Sequence, residues 1–93
     1  MKSFKFSFRN LKESHDLTPH DSHKSYYGKA EVYTLKGGIK VLRSYSTYVA
    51  VIGRNGQIYR TWLGWSATTG RHIASFCGLN KKQYEQLPLA KVI

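Results

Sequence analysis

Two stretches of this chain alternate apolar and polar side chains, and a third repeats its apolar residues at helical spacing. Phe4, Phe6 and Phe8 alternate with Lys5, Ser7 and Arg9, the period of a half-buried strand. A polar stretch from Asn10 to Ser25 follows. It holds Pro19 and three of the four histidines and reads as a loop or a loosely attached arm. Alternation returns from Lys29 to Leu35, with Val32 and Thr34 on one side and Tyr33 and Leu35 on the other. Gly37-Gly38 then separates this strand from Ile39-Lys-Val-Leu-Arg, a two-residue hairpin signal. The β-branched and aromatic run Thr47 to Ile52 leads into Gly53-Arg-Asn-Gly56, a turn with an Asn-Gly pair. Gln57 to Leu63 completes a second hairpin, and Ser44 to Ser46 bends the chain between the two.

Gly64-Trp65-Ser66 marks a switch to helix. The Ser66 hydroxyl suits an N-cap, where it accepts from free first-turn amides. Ala67, Gly70, Ile73, Ala74 and Cys77 then share one face, and Gly78 followed by Asn80 reads as the stop. A second short helix, Lys81 to Leu87, ends before Pro88. The pattern predicts an α+β fold: a small antiparallel β-meander of three to four strands, one main helix packed across it and a short C-terminal helix. Phe4 to Phe8 supplies a possible extra edge. Ninety-three residues suit one domain, divided into an N-terminal strand plus polar arm (1–25), a sheet-and-helix core (26–80) and a short helix with tail (81–93). No internal repeat or low-complexity segment interrupts it.

Charge changes the picture. Between Val32 and Tyr84 the chain has no Asp or Glu but eight Lys or Arg, and these account for most of the net charge of +10. A folded core so uniformly positive repels itself and attracts polyanions or acidic protein surfaces. With 41% hydrophobic residues the chain is too apolar for generic disorder. A single cysteine, Cys77, excludes an internal disulfide. The N-terminus lacks the apolar run of a signal peptide, and no segment approaches the roughly 20 apolar residues of a membrane span, so the cytoplasm is the expected location.

Two groups of residues are candidate sites. At the helix start, free amides favour an anion, and Thr68 and Arg71 lie three apart on the solvent face with Ser75 one turn on. The plain alternative is capping by Ser66 and the threonines with Arg71 solvated. Gly70 inside the helix points to close packing against a Tyr or Trp. On the strands, Lys40, Arg43, Arg54 and Arg60 interleave with Tyr45, Tyr48 and Tyr59, a combination that can contact phosphates and stack on bases. The alternative there is a solvated face whose tyrosines are half core. His72 is expected to hydrogen-bond backbone, with neither nucleophile nor carboxylate nearby. His15-Asp16, His20-Asp21 and His23 match no closed zinc spacing, so neither a metal nor a cofactor is expected. Cys77 is expected to be an inert core thiol. The acids Glu13, Asp16, Asp21, Glu31 and Glu85 fall outside the expected central fold, and no catalytic motif is present.

The blocks Lys24-Ser-Tyr-Tyr-Gly-Lys-Ala30, Ser44-Tyr-Ser-Thr-Tyr-Val-Ala-Val-Ile52 and Trp65-Ser-Ala-Thr-Thr-Gly-Arg-His-Ile73 with Phe76 resemble a family of small proteins encoded by phages, plasmids and other mobile elements, chiefly of Firmicutes. The resemblance spans roughly residues 18 to 80. It implies a bacterial cytoplasm and no particular mechanism. A looser similarity, of layout only, is to the plant-type DNA-binding domain, in which a Trp-Leu-Gly segment closes the last strand before a helix, as Trp62-Leu-Gly64 does here.

The expected function is therefore binding rather than catalysis. The first expectation is a nucleic-acid-binding protein of a mobile element, holding phosphates with Lys40, Arg43, Arg54, Arg60 and Arg71. The rival is an anti-CRISPR-like inhibitor docking on an acidic host or defence protein.

Overall fold

The glycines and the β-branched runs act as expected, and they set the layout of a computed structural model that describes residues 4–16 and 30–92. Strands β3 (Ala30–Leu35) and β4 (Lys40–Ser44) are joined by a tight turn in which Leu35 N–H donates to the Ile39 carbonyl at 2.8 Å. Gly37 and Gly38 take φ of 92° and 87° there, a left-handed region that glycine enters without steric cost. Strands β5 (Thr47–Ile52) and β6 (Ile58–Arg60) flank the Arg54-Asn55-Gly56 turn. Between β4 and β5 the chain also closes a hairpin, with Ser44 opposite Thr47 and Tyr45 at φ 56°.

The polar stretch departs from expectation. Leu11–Asp16 forms β2, antiparallel to β3, so the sheet has five strands in the order β2-β3-β4-β5-β6 instead of three or four. Its side chains from Leu11 to His15 are all exposed, which is why apolar patterning does not reveal it. The Phe4 to Phe8 segment is also corrected. Strand β1 (Phe4–Phe6) does not extend the main sheet. It pairs in parallel with a C-terminal strand, β7 (Ala90–Val92), and a 3-10 turn over Phe8–Asn10 follows it. His20, Asp21 and His23 lie outside the described residues.

Helix α1 (Ala67–Cys77) starts where Ser66 Oγ accepts from Thr69 N–H at 3.1 Å and ends at Gly78 with φ 74°. Helix α2 (Lys81–Glu85) starts in a capping box between Asn80 and Gln83. Both helices cover one face of the sheet. Ala30, Val32, Leu42, Val49, Ala50, Ile73 and Tyr84 form the core there. The β1–β7 pair covers the opposite face through Phe6 and Ala90, which close over Leu35, Ile39, Val41 and Val51. The central strands are thus buried on both sides. Each fully buried Leu, Ile or Val contributes about 1.5–3 kcal/mol.

A β-bulge lets β5 serve both cores. Leu42 opposes Ala50 and Arg43 opposes Tyr48, so Val49 is an extra residue. Val49 and Ala50 therefore both face the helices. The displaced carbonyls find donors elsewhere. Tyr48 O accepts from the Thr61 hydroxyl, and Val49 O accepts from Thr61 N–H at 3.2 Å and from the buried Tyr84 hydroxyl at 2.6 Å.

Candidate functional site

Three layers decide which basic side chains can reach a partner. The hairpin turns β3–β4 and β5–β6 emerge at the same end of the sheet. Arg54 crosses from one turn to the other: a side chain on Gly37 would meet its Nε at 2.9 Å. The glycine thus makes room for the guanidinium. Beside it, Lys5, Ile39, Arg54, Asn55 and Tyr59 line an open cleft of about 370 Å³. Ile39 is buried and forms its floor, Tyr59 is half-buried, and Lys5, Arg54 and Asn55 are exposed. Asn55 Oδ1 accepts from Gln57 N–H at 3.0 Å, which leaves its amide group as a donor.

Further cations lie at the same end of the sheet or next to Lys5. Lys36 and Lys40 are exposed in and beside the first turn. Lys91 is the register partner of Lys5, and both are exposed while their neighbours Phe6 and Ala90 are buried. None of the residues lining the cleft is acidic. Such a surface attracts phosphate or carboxylate, and a half-exposed tyrosine adds a stacking face.

The sequence-expected cations therefore separate into three groups. Lys40 and Arg54 gather at the hairpin end. Arg43 and Arg60 are held in the fold. Arg43 pairs with Glu31 at 3.2 Å and lies 5.8 Å from the Tyr33 ring centre, and Arg60 lies 6.0 Å from that of Tyr84. The Nε atoms of both are buried without a hydrogen-bond partner. Thr68 and Arg71 remain exposed on α1, remote in sequence and element from the hairpin turns. Glu31, expected outside the central fold, is the partner of Arg43 on a central strand. Lys5 and Lys91 were hidden from sequence reasoning because they flank the acid-free segment, and only the β1–β7 pairing brings them in.

The tyrosines divide as well. Tyr48 lies 4.9 Å from Phe8 and 6.1 Å from Tyr33, ring centre to ring centre, so it belongs to the aromatic layer beneath β1. Burial raises the Tyr33 phenol above its ordinary value, helped by a hydrogen bond to Glu31. Tyr59 lines the cleft, and Tyr45 is half exposed with its ring 5.9 Å from that of His72.

His72 is the other correction. A nucleophile-type group does lie beside it: Nδ1 is 2.8 Å from Ser44 Oγ, which in turn is 3.1 Å from Thr69 Oγ1. Ser44, Thr69 and His72 are 3%, 7% and 1% exposed, so this hydroxyl–imidazole pair sits where no substrate reaches it. It fastens α1 to β4. The helix consequently buries Thr69 and His72 together with Gly70 and Ile73, and leaves Ala67 exposed. A Cβ on Gly70 would come within 2.5 Å of the Trp65 ring, the close packing expected from its place in the helix. Cys77 is partly buried, and desolvation pushes its thiol up to about 11, which keeps it unreactive near neutral pH. Among the described residues no cluster of His, Cys, Asp and Glu could hold a metal ion. No helix in the described residues is long and apolar enough to cross a membrane.

Residues 15–90 match a family of unknown function, DUF8033. The chain belongs to that family. No curated protein matches it, and no solved structure does either. The matched span starts at the end of β2 and runs into β7, so it contains β3 to β6 and both helices, while β1 and most of β2 lie before it.

Proposed function

We propose that this protein binds nucleic acid through the hairpin end of its sheet, as a component of a bacterial mobile element acting in the cytoplasm. The observation that carries the proposal is one cleft flanked by Lys5 and Arg54, floored by Ile39 and walled by Tyr59, with Lys36 in the adjoining turn and Lys91 paired beside Lys5. Lysine and arginine hold phosphates by charge, and the tyrosine face accepts a base or a sugar. The role is binding and not catalysis, which the burial of the Ser44–His72 pair supports.

Fluorescence anisotropy with labelled oligonucleotides across a salt series tests it. The affinity is expected to fall with a log-log slope of about 0.9 per phosphate held on duplex DNA and about 0.7 on a single strand. Substituting both Lys5 and Arg54 with Gln should lower the slope by about two such contacts. Absence of binding to DNA and RNA at low salt overturns the proposal. Capture of a defined host protein that survives nuclease treatment would favour an inhibitor of the anti-CRISPR kind in its place.

A further inference from the structure

We infer that the groove between α1 and α2 is a pocket for one unpaired base of a single strand, so that the preferred ligand is single-stranded nucleic acid. This rests on the nucleic-acid-binding role proposed above. The groove has a volume of about 520 Å³, and Trp65, Ala67, Ala74 and Leu79 supply much of its apolar lining. That is within the range of small-ligand sites, roughly 300–1,000 Å³. Its polar lining is unusual in sign. The four polar side chains there are Arg71, Asn80, Lys81 and Gln83. Asn80 Oδ1 accepts from Gln83 N–H at 2.8 Å, and Gln83 Oε1 accepts from Asn80 N–H at 3.0 Å.

The capping box therefore uses both amide oxygens and leaves both amide nitrogens as donors. With Arg71 and Lys81, every polar side chain around the groove donates. Base-edge carbonyls, ring nitrogens and phosphate oxygens are the acceptors that such a rim suits, and Trp65, half-buried, puts apolar ring surface into the lining against which a base can rest. A base paired within a duplex cannot enter a groove of this kind without leaving its stack. Helix α1 is also a poor reader of a duplex groove. Its Thr69, Gly70, His72 and Ile73 face is buried on the sheet, and Arg71 is its only basic residue.

The test compares an oligothymidylate of about twelve nucleotides, in the site-size range of single-strand binders, with a duplex of equal length. The full chain is used throughout. Ala67 is exposed, so Ala67→Phe fills the groove without changing charge, and circular dichroism checks its fold. We expect the wild type to bind the single strand at least about tenfold more tightly than the duplex. Ala67→Phe should weaken single-strand binding by about tenfold, the loss typical of one stacked base, and leave duplex binding unchanged. Arg71→Gln with Lys81→Gln gives a second, charge-based reading and should reduce the single-strand salt slope by about 1.4. Equal or tighter duplex binding overturns this inference and leaves the nucleic-acid role standing. Single-strand binding that ignores both variants also overturns it. Absence of binding to either probe overturns both.

Discussion

Replacing Tyr84 with Phe removes one hydroxyl and no carbon from a side chain with 0% exposure. That hydroxyl donates toward Val49 O at 2.6 Å and Trp62 O at 2.9 Å. Val49 O retains Thr61 N–H at 3.2 Å, so the loss falls mainly on the shared phenol bond and on Trp62 O. One lost buried hydrogen bond with a partly unpaired carbonyl corresponds to about 1–2 kcal/mol. For a domain of this size that lowers Tm by roughly 4–8 °C per kcal/mol. The pH dependence is more diagnostic than the loss itself. Burial pushes the Tyr84 phenol from 10.0 up to about 12, against smaller opposing effects of the Trp62 hydrogen bond and the Arg60 charge. The folded-state value is raised, so the stabilising contribution is fully present below the unfolded value near pH 10. It is lost as pH rises through the folded value near 12, because the unfolded chain releases its proton first. The span corresponds to about 2–3 kcal/mol at about 1.4 kcal/mol per pH unit. Urea unfolding of both proteins, followed by circular dichroism from pH 7 to 11.5, measures it. The gap between wild type and Tyr84→Phe should narrow steadily above pH 10. A gap independent of pH, or one under about 0.5 kcal/mol at pH 7, would show that the Tyr84 hydroxyl is neither shielded nor a structural donor.

Other substitutions probe separate features. Gly70→Ala forces a methyl against the Trp65 ring, where 2.5 Å is available, and should cost about 1–3 kcal/mol by chemical unfolding despite the better helix propensity of alanine. Ser44→Ala removes the hydroxyl that links Thr69 to His72 and should cost about 1–3 kcal/mol, whereas a surface change such as Lys82→Ala should stay within about 0.5 kcal/mol. The Cys77 thiol should alkylate slowly at pH 7.5, and its rate should climb up to about pH 11, as followed by mass spectrometry; ready alkylation at neutral pH would contradict its burial.

Patterning reads well where one face meets a core and fails where it does not. Val32 and Tyr33 were separable because each meets a different buried layer, and Ser66, Gly70 and Gly78 announce the helix through capping, packing and a left-handed φ. Strand β2 has no buried side chain from Leu11 to His15 and is held by ladder hydrogen bonds, so its polarity reads as a loop. The β1–β7 pair is invisible for another reason: parallel pairing between residues so far apart leaves no local signal. At the candidate site, Arg54 was legible from its turn. The contacts of Arg43 with Glu31 and of Arg60 with the Tyr84 ring were not, because they form only through tertiary packing.

Strands β1 and β7 are also the first and last described elements, and their register joins Phe4 to Ala90 and Phe6 to Val92. The layer of Leu35, Ile39, Val41 and Val51 is therefore closed by strands from opposite ends of the described sequence. The helix-side core draws on neither of these strands and reaches no further along the chain than Leu87. Unpairing β1 from β7 would thus uncover one face of the sheet and leave the helix-covered face packed. Lys5 lines the cleft at the hairpin end, so that cleft depends on the pairing of β1 with β7.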